Sequence, residues 1–270
     1  MTPIAEATKE LYSKTGFSEV NGLKMYYEIH GEGKPLVLIH GGGSTIETTF
    51  GRIIPMLAKH RQIIAVELQA HGHTDDRKTP LSFAQDADDV AALLKNLEIP
   101  KADFLGFSNG GQTAIEIALR HAGLVNKLVI ASAFYKRSGT FPNFWKGMDH
   151  ASFSDMPQAY KDAYLKINND TTALLNMFKR DVQRMQSFKD WSDEQMKSIK
   201  APTLIMSGDK DVGTPEHAVE MYRLIPNAQL VILPGGHGTY LGEVSTLTKG
   251  KWTKEYVASL IEDFLDTYDL

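Results

Sequence analysis

One short segment of the chain has the form expected around a catalytic serine. Gly106-Phe107-Ser108-Asn109-Gly110 is a G-x-S-x-G sequence. Ser108 follows the strand pattern Ala102–Phe107 and precedes the helix pattern Gly111–Arg120, so it is predicted on a sharp strand-to-helix turn with its hydroxyl exposed. Small neighbours permit the strained backbone of such a turn, and the helix N-terminus favours developing negative charge. The segment therefore predicts a nucleophilic serine, and an ordinary turn that happens to carry a serine is the alternative.

A glycine-rich loop is predicted beside this turn. His40-Gly41-Gly42-Gly43 follows the strand pattern 35–39, and glycine lets a backbone N–H point into a pocket without a side chain in the way. We expect the N–H groups of Gly42 and Asn109 to form an oxyanion hole, and we expect His40 to orient the loop or to contact substrate. A phosphate-binding loop is the alternative, but the sequence lacks the spaced glycines and the lysine of such loops.

A base and an acid are needed to make a serine hydroxyl nucleophilic, because the base accepts its proton and the acid orients the base. His237 follows the last predicted strand among glycines, and this position favours it over the other eight histidines. Asp211 follows the preceding strand and is the preferred acid, whereas Asp209 in the same turn is suited to stabilising that turn. The predicted catalytic residues are therefore Ser108, Asp211 and His237, in that order along the chain.

The composition excludes several other kinds of chemistry. The 270 residues include no cysteine, so disulfide frameworks, thiolate metal sites and a cysteine nucleophile are ruled out. With 29 Lys and Arg against 33 Asp and Glu, the net charge of −4 gives no basic surface for nucleic acid. His71 and His73 could imitate a metal-binding pair, but no nearby carboxylate cluster completes a ligand set. We therefore expect neither a metal nor another cofactor, and no nucleic-acid partner.

The elements that must position these residues are predicted from hydrophobic patterning. Short apolar runs alternate with longer amphipathic patterns, which is typical of an α/β protein with a mostly parallel sheet. The predicted strands are Leu23–His30 and Pro35–His40 as the opening pair, then Gln62–Leu68, Ala102–Phe107, Lys127–Ala131, Thr203–Ser207 and Gln229–Leu233. Helices are predicted after the caps Ser82 and Thr214 and from Thr253 onward. No apolar run is long enough for a membrane span, and residues 1–10 show no secretory signal, so we expect a cytoplasmic protein without membrane contact.

Residues 134–200 differ in character from the rest of the chain. They contain no convincing strand pattern, hold 11 of the 25 aromatic residues, and carry a net charge of +3 against −7 elsewhere. Thr171–Gln186 and Ser192–Ile199 are predicted helices. We interpret the segment as an inserted helical cap whose aromatic and methionine side chains form its core or line an apolar pocket. The candidate pocket residues are Phe144, Trp145, Met148 and Met177.

Two arginines in this segment are spaced for one helical face. Arg180 and Arg184 lie four residues apart, and side chains at that spacing are neighbours on a helix. A solvated face is the preferred interpretation. A clamp for a substrate carboxylate is the alternative, because arginine binds carboxylates with two parallel hydrogen bonds.

Together these loops resemble the α/β-hydrolase superfamily from about Phe17 onward. The matching features are the Gly106–Gly110 turn, the His40-Gly41 loop, the Gly208-x-x-Asp211 turn and Gly236-His237. The resemblance implies an eight-stranded, mostly parallel sheet flanked by helices, with an insertion after the sixth strand. Residues 1–133 and 201–270 would then form the hydrolase core, and residues 134–200 the cap. The chain looks most like the capped small-molecule branch, which includes esterases, enol-lactonases, cofactor-free perhydrolases and carbon–carbon bond hydrolases.

One loop departs from the pattern of that superfamily. Where many relatives carry D-x-R-G-x-G-x-S after the third strand, this chain reads Glu67-Leu68-Gln69-Ala70-His71-Gly72-His73-Thr74. The departure leaves the predicted catalytic residues unchanged. It falls in a loop on which the assignment of a particular substrate depends.

The residues and the resemblance predict a serine hydrolase that cleaves an ester or lactone of a small, largely apolar molecule through an acyl-enzyme. Carbon–carbon bond hydrolysis and perhydrolysis by the same residues are alternatives. A non-catalytic member that only binds a small ligand is an alternative from another class. The expected partner is a small-molecule substrate, and the sequence does not specify an oligomeric state.

Overall fold

The computed structural model describes residues 13–246 and 254–267, which form a layered α/β structure. The eight strands in these ranges are β1 (Ser13–Val20), β2 (Leu23–His30), β3 (Lys34–Ile39), β4 (Arg61–Val66), β5 (Ala102–Phe107), β6 (Val125–Ala131), β7 (Thr203–Gly208) and β8 (Ala228–Leu233). The α-helices in the same ranges are α1 (Ile46–Phe50), α2 (Ile54–Leu57), α3 (Phe83–Asn96), α4 (Asn109–Arg120), α5 (Phe144–Asp149), α6 (Gln158–Ile167), α7 (Thr171–Gln186), α8 (Asp193–Ser198), α9 (Pro215–Leu224) and α10 (Lys254–Thr267).

The strands form one sheet in the order β1-β2-β4-β3-β5-β6-β7-β8. Strand β2 pairs antiparallel with β1 and β4, and every later neighbouring pair is parallel. The predicted eight-stranded, mostly parallel α/β sheet is therefore confirmed. The predicted opening strands β2 and β3 are not partners, because β4 lies between them.

The apolar strands were predictable because helices cover both faces of the sheet. Leu36 and Leu38 of β3 pack on the face of α1, α2 and α10, whereas Val37 and Ile39 pack on the face of α3, α4 and α9. Side chains alternate between the two faces of a strand, so a doubly covered strand reads as a continuous apolar run. The bounds of β2 and β5 match the prediction, and the other predicted strands are shifted at their ends by one or two residues.

Strand β1 was not predicted. It lies at the edge of the sheet with one partner, and most of its side chains are exposed or half-buried. An edge strand of this kind needs no apolar run, because little of its surface enters the core. Its polar sequence therefore gave no strand signal.

Residues 134–200, which we call the cap, contain α5, α6, α7 and α8 and no strand. Helix α7 has the predicted bounds, and α8 begins with the predicted capping box between Ser192 and Gln195. Helices α5 and α6 were not predicted individually. Both bury few residues, so they lack a clear apolar stripe.

No helix in the described ranges is long and apolar enough to cross a bilayer. Residues 1–10, in which we expected no secretory signal, lie outside the described residues. Thr253, the expected start of the last helix, lies outside them as well.

A buried ion pair links two strands of the sheet and gives a test of the fold. Arg61 Nη1 of β4 lies 2.8 Å from Asp103 Oδ2 of β5, and both side chains are 2% exposed. Arg61→Ala should lower the free energy of unfolding by about 3–5 kcal/mol, because it leaves a buried carboxylate without its cation. Arg120→Ala, which breaks an exposed pair with Asp88, should cost about 1 kcal/mol or less. Urea unfolding of the two variants checks this, and equal losses would contradict it.

Candidate active site

Ser108 occupies a strained turn between β5 and α4. Its φ of +54° lies in the left-handed region, which is costly for a residue with a Cβ. The turn is compact because both flanking glycines are in contact with backbone: a Cβ on Gly106 would lie 2.1 Å from the Gly110 oxygen, and a Cβ on Gly110 would lie 2.0 Å from the Ile39 oxygen. The Ser108 N–H donates to the Ala131 oxygen of β6 at 2.9 Å. The serine is thus fixed at the carboxyl edge of the sheet.

Three side chains form a continuous hydrogen-bonded chain at this edge. His237 Nε2 lies 2.9 Å from Ser108 Oγ, and His237 Nδ1 lies 2.6 Å from Asp211 Oδ1. Asp211 follows β7 and His237 follows β8, two and three strands along from the strand that carries Ser108. Because Nδ1 faces a carboxylate it carries a proton, which leaves Nε2 as the acceptor for the serine proton. This arrangement activates a serine hydroxyl for attack on a carbonyl.

The carboxylate of Asp211 is surrounded by hydrogen-bond donors. Oδ2 accepts from Ser132 Oγ at 2.5 Å and from the Gly208 N–H at 3.0 Å. Burial on its own would raise the pKa of Asp211, but the bonds from His237, Ser132 and Gly208 lower it below its ordinary value. The Tyr240 hydroxyl lies 2.8 Å from Ser132 Oγ and extends the network. Asp211 therefore stays ionised and can stabilise a positive charge on His237.

Asp209, the alternative acid, has another position. Its Oδ1 accepts the Gly235 N–H at 2.7 Å, and the Lys210 N–H donates to the Gly235 oxygen at 3.0 Å. These bonds tie the turn after β7 to the loop that carries His237. Asp209 thus holds the two loops together and does not contact the histidine ring.

The glycine loop after β3 lies against Ser108. Gly42 and Asn109 both border the cavity at the serine, and neither N–H donates to an acceptor among the residues that the structure describes. His40 is fully buried behind the loop: its Nδ1 donates to the Gly41 oxygen at 2.7 Å and its Nε2 accepts the Leu68 N–H at 3.0 Å. Burial, with the nearby charge of His71, lowers the pKa of His40 to about 3. His40 is neutral and orients the loop.

A cavity of about 320 Å³ opens between Ser108 and the cap. Its lining is mostly apolar, with Phe144 and Met148 of α5 among the residues, as expected from the sequence. The polar lining consists of Ser108, Asn109, Asp155, Tyr160, Asp181 and His237 together with the backbone of Gly42 and Gly43. Among the described residues no Lys or Arg lines this cavity. The cavity thus combines a mostly apolar wall with carboxylates and with the residues of the serine contact.

Three of the expected pocket residues lie elsewhere. Trp145 packs on Phe134 and Phe188, and Met177 is buried in the cap core beside Leu174. Adjacent helical residues point about 100° apart, so Phe144 and Trp145 cannot both face the cavity. His40 is the third, because the loop that it orients covers it. The expectation that Trp145, Met177 and His40 contact substrate is not met by this arrangement.

Comparison with known proteins identifies the fold. A family model described as alpha/beta hydrolase fold matches residues 34–163. The chain has the α/β-hydrolase fold. It is 28% identical to human Serine hydrolase BPHL over 91% of this chain and 84% of that protein. It is also 28% identical to 2-hydroxy-6-oxo-2,4-heptadienoate hydrolase of Pseudomonas putida, over 74% of this chain and 80% of that protein.

A solved structure shows the same fold along nearly the whole chain. The crystal structure of a serine hydrolase involved in carbazole degradation aligns with a TM-score of 0.78 and 23% identity, over 95% of this chain and 100% of that one. The α/β-hydrolase resemblance drawn from the sequence is therefore confirmed. The division of the chain into a core and a cap with the bounds given above stays a prediction.

The arginine pair of the cap forms neither a solvated face nor a substrate clamp. Arg184 is 3% exposed and binds Asp86 and Asp181. Arg180 pairs with Asp76 at 3.0 Å and donates to the Thr79 oxygen at 2.6 Å. The spacing correctly indicated one helical face, but that face packs on acidic side chains of the core. Both cations are therefore unavailable to a substrate in this cavity.

The two histidines of the departing loop bind different carboxylates. His71 Nε2 lies 2.9 Å from Asp181 Oδ2, and His73 Nδ1 lies 2.9 Å from Glu67 Oε2. In the described part of the chain no three His, Asp or Glu side chains are grouped as metal ligands would be. The two histidines are therefore explained by ion pairs with Asp181 and Glu67.

The sequence did not predict several residues of the site, among them Ser132, Asp181, Asp155 and Tyr160. Ser132, which donates to Asp211, follows the buried strand β6, and its position at a strand end is the signal that the sequence carries for it. Asp181 lines the cavity and falls in the buried stripe of α7 with Leu174, Met177 and Arg184. A charged residue inside an apolar stripe is a signal that could have found it, because such a residue must be paired.

The glycine loop after β3, residues 40–43, which we call the oxyanion loop, gives a testable prediction. A Cβ on Gly42 would lie 2.4 Å from Asn109 Nδ2, so Gly42→Ala must displace the loop or the Asn109 side chain. Alanine keeps the backbone N–H, so the effect depends on how far the displacement turns that N–H away from the oxyanion. Complete loss of one oxyanion donor costs about 10²- to 10³-fold in rate, and we expect the displacement to slow the labelling of Ser108 by a fluorophosphonate about tenfold. Asn109→Ala keeps its N–H, so the double variant should recover most of the rate. Labelling of Gly42→Ala at the wild-type rate would show that the Gly42 N–H is not a donor of the oxyanion hole.

Proposed function

We propose that the protein is a serine hydrolase that cleaves an ester or lactone of a small, uncharged and largely apolar molecule. The observation that carries the proposal is the continuous contact from Ser108 through His237 to Asp211, at 2.9 Å and 2.6 Å, at the floor of the cavity. A serine, a histidine and an ionised aspartate in this order form the general arrangement for acyl transfer. The name of the human relative, a serine hydrolase, also supports it.

The proposed reaction begins with attack of Ser108 Oγ on the substrate carbonyl carbon. His237 Nε2 accepts the serine proton and then gives it to the leaving oxygen, while Asp211 stabilises the imidazolium. The N–H groups of Gly42 and Asn109 bind the oxyanion, and each such donor is worth about 2.7–4 kcal/mol in comparable sites. Water, activated by His237, then attacks the acyl-enzyme and releases the acid. The cycle returns Ser108 and His237 to their starting protonation states.

The charge of the cavity indicates which acyl groups it accepts. Asp155 and Asp181 are on its lining, and no lining Lys or Arg is present in the described part of the chain. A carboxylate that leaves water for this cavity would find no cation and would lose its hydration without compensation. The name of the Pseudomonas putida relative, a heptadienoate hydrolase, denotes an anionic substrate. Carbon–carbon hydrolysis of such a dienoate is therefore a weaker proposal for this chain than hydrolysis of a neutral ester or lactone, and perhydrolysis stays open as a side reaction of the same acyl-enzyme.

Replacement of the nucleophile tests the proposal directly. Ser108→Ala should abolish hydrolysis of p-nitrophenyl butyrate and covalent labelling by a fluorophosphonate, because Ser108 Oγ is the oxygen hydrogen-bonded to His237 Nε2 among the described residues. Ser198→Ala, which changes an exposed cap serine, should behave as wild type in both assays. A wild-type protein that is not labelled and hydrolyses no ester would instead indicate the non-catalytic ligand-binding alternative.

A matched pair of substrates tests the choice of acyl group. p-Nitrophenyl butyrate and p-nitrophenyl hemisuccinate differ mainly in a terminal carboxylate. We expect kcat/KM to be at least about tenfold lower for the hemisuccinate, since an uncompensated charge costs more than about 1.4 kcal/mol in a partly desolvated cavity. Turnover of a 2-hydroxy-6-oxo-2,4-dienoate should be lower than that of the butyrate by a similar or larger factor. Equal or faster turnover of either anion would contradict the assignment of a neutral substrate.

A further inference from the structure

One cap side chain reaches the oxyanion loop. Asp181 lies on α7, 138 residues along the chain from Gly43, and its Oδ2 accepts the Gly43 N–H at 2.6 Å. The same oxygen lies 3.3 Å from the position of a Cβ on Gly42. The carboxylate therefore sits directly beside the peptide group that follows the oxyanion donor Gly42.

Asp181 is held in place by two cations. His71 Nε2 lies 2.9 Å from Asp181 Oδ2, and Arg184 Nη2 lies 2.5 Å from Asp181 Oδ1. The other nitrogen of His71 faces the Gln69 carbonyl at 2.9 Å. His71 Nε2 also lies 3.2 Å from the Gly43 nitrogen, farther than from the Asp181 carboxylate. Burial on its own would lower the pKa of His71, but the Asp181 carboxylate raises it above its ordinary value and favours the cationic ring. Arg184 in turn donates to Asp86 Oδ2 of α3 at 2.6 Å.

This cluster is buried and electrically balanced. Asp86, His71, Asp181 and Arg184 are all at most 8% exposed. Burial alone would raise the pKa of Asp181, but His71, Arg184 and the Gly43 N–H hold it well below its usual value. His71 and Arg184 thus form ion pairs with the two carboxylates, Asp181 and Asp86. Such a cluster fixes its members in one geometry, because any displaced charge would be left buried without a partner.

We propose that Asp181 is a positioning residue for the oxyanion hole and that the cap completes this hole. By accepting the Gly43 N–H, Asp181 sets the orientation of the Gly42–Gly43 peptide and with it the direction of the Gly42 N–H. The hole is then correctly shaped only while α7 is seated on the core. The inference rests on the proposed serine hydrolysis. It adds that binding of the transition state depends on Asp181, which is not one of the three hydrogen-bonded residues Ser108, His237 and Asp211.

A second link between α7 and the core provides a matched control. Arg180, one residue before Asp181, binds Asp76 and the Thr79 oxygen. It joins the same helix to the same side of the core, and it does not contact the glycine loop. Loss of Arg180 therefore reports what a loosened cap does, whereas loss of Asp181 reports what a loosened oxyanion loop does.

The test compares three variants, Asp181→Asn, Asp181→Ala and Arg180→Ala, with wild type. Hydrolysis of p-nitrophenyl butyrate gives kcat and KM, and inhibition by butylboronic acid, which forms a tetrahedral adduct with the serine, gives an inhibition constant. We expect kcat to fall about tenfold in Asp181→Asn, which keeps an acceptor for Gly43, and about 100-fold in Asp181→Ala, because oxyanion donors contribute about 10²- to 10³-fold. KM should change less than threefold, and the inhibition constant of the boronic acid should rise by the same factor as kcat/KM falls. Arg180→Ala should stay within threefold of wild type in kcat.

The opposite pattern would overturn the proposal. If Asp181→Ala raises KM and lowers Tm while kcat and boronic acid affinity stay near wild type, Asp181 only holds the cap. The same conclusion would follow if Arg180→Ala and Asp181→Ala lose equal amounts of kcat.

Amide measurements keep the proposal testable if Asp181→Ala does not fold or if no ester is hydrolysed. In ¹⁵N-labelled protein the Gly43 amide should be protected from hydrogen exchange in wild type and Arg180→Ala. It should exchange at least about tenfold faster in Asp181→Asn and in His71→Gln, because both changes weaken the carboxylate that accepts it. Unchanged protection would overturn the positioning role. A wild type that lacks both labelling and hydrolysis would refute the proposed function instead, while leaving the loop measurement interpretable.

Discussion

The close approach of three backbone segments at Gly106 and Gly110 is the constraint on which the site depends. There β5 enters the turn, α4 leaves it, and the end of β3 passes within contact distance of Gly110. No side chain fits at either glycine, and of the three residues between them Ser108 is the one that projects its hydroxyl toward His237. The left-handed backbone of Ser108 costs about 1–2 kcal/mol, and this packing together with the bond to Ala131 maintains it. The loops that carry Asp211 and His237 therefore pack against a serine whose position is already fixed.

Two buried carboxylates stay ionised at this edge by different means. Asp211 relies mainly on hydrogen bonds, from His237, Ser132 and backbone N–H groups, and it can therefore respond to a proton arriving on His237. Asp181 relies on the permanent cation Arg184 and on His71. A carboxylate held by hydrogen bonds suits a group whose partner changes charge during a reaction, whereas one held by cations suits a fixed support. The difference separates the acid of the proposed catalytic chain from the proposed support of the oxyanion loop.

The sequence predicted those features that depend on local pattern and chain order. Strands buried on both faces read as apolar runs, and loops after parallel strands must meet at one edge, so the sequence itself places Ser108, Asp211 and His237 together. Features that depend on a partner far along the chain could not be predicted. Strand β1 has no apolar signal, and α5 turns Phe144 inward and Trp145 away from the cavity. The spacing of Arg180 and Arg184 identified their shared face but not the acidic residues opposite it.

The loop 67–74, which departs from the superfamily pattern, and the carboxylate of Asp181 in the cap are joined by His71. At Ala70, where many α/β hydrolases carry glycine, the backbone keeps a φ of +68°, so the turn persists although alanine strains it. Its N–H donates to the Asp75 oxygen at 3.0 Å, which holds the turn and lets it direct His71 toward Asp181. The neighbouring Glu67 binds His73 within the loop and leaves His71 to the cap. Since His71 pairs with a residue on the cavity wall, the changes in this loop alter the site through Asp181. They also explain why similarity to hydrolases of anionic substrates does not by itself assign such a substrate to this chain.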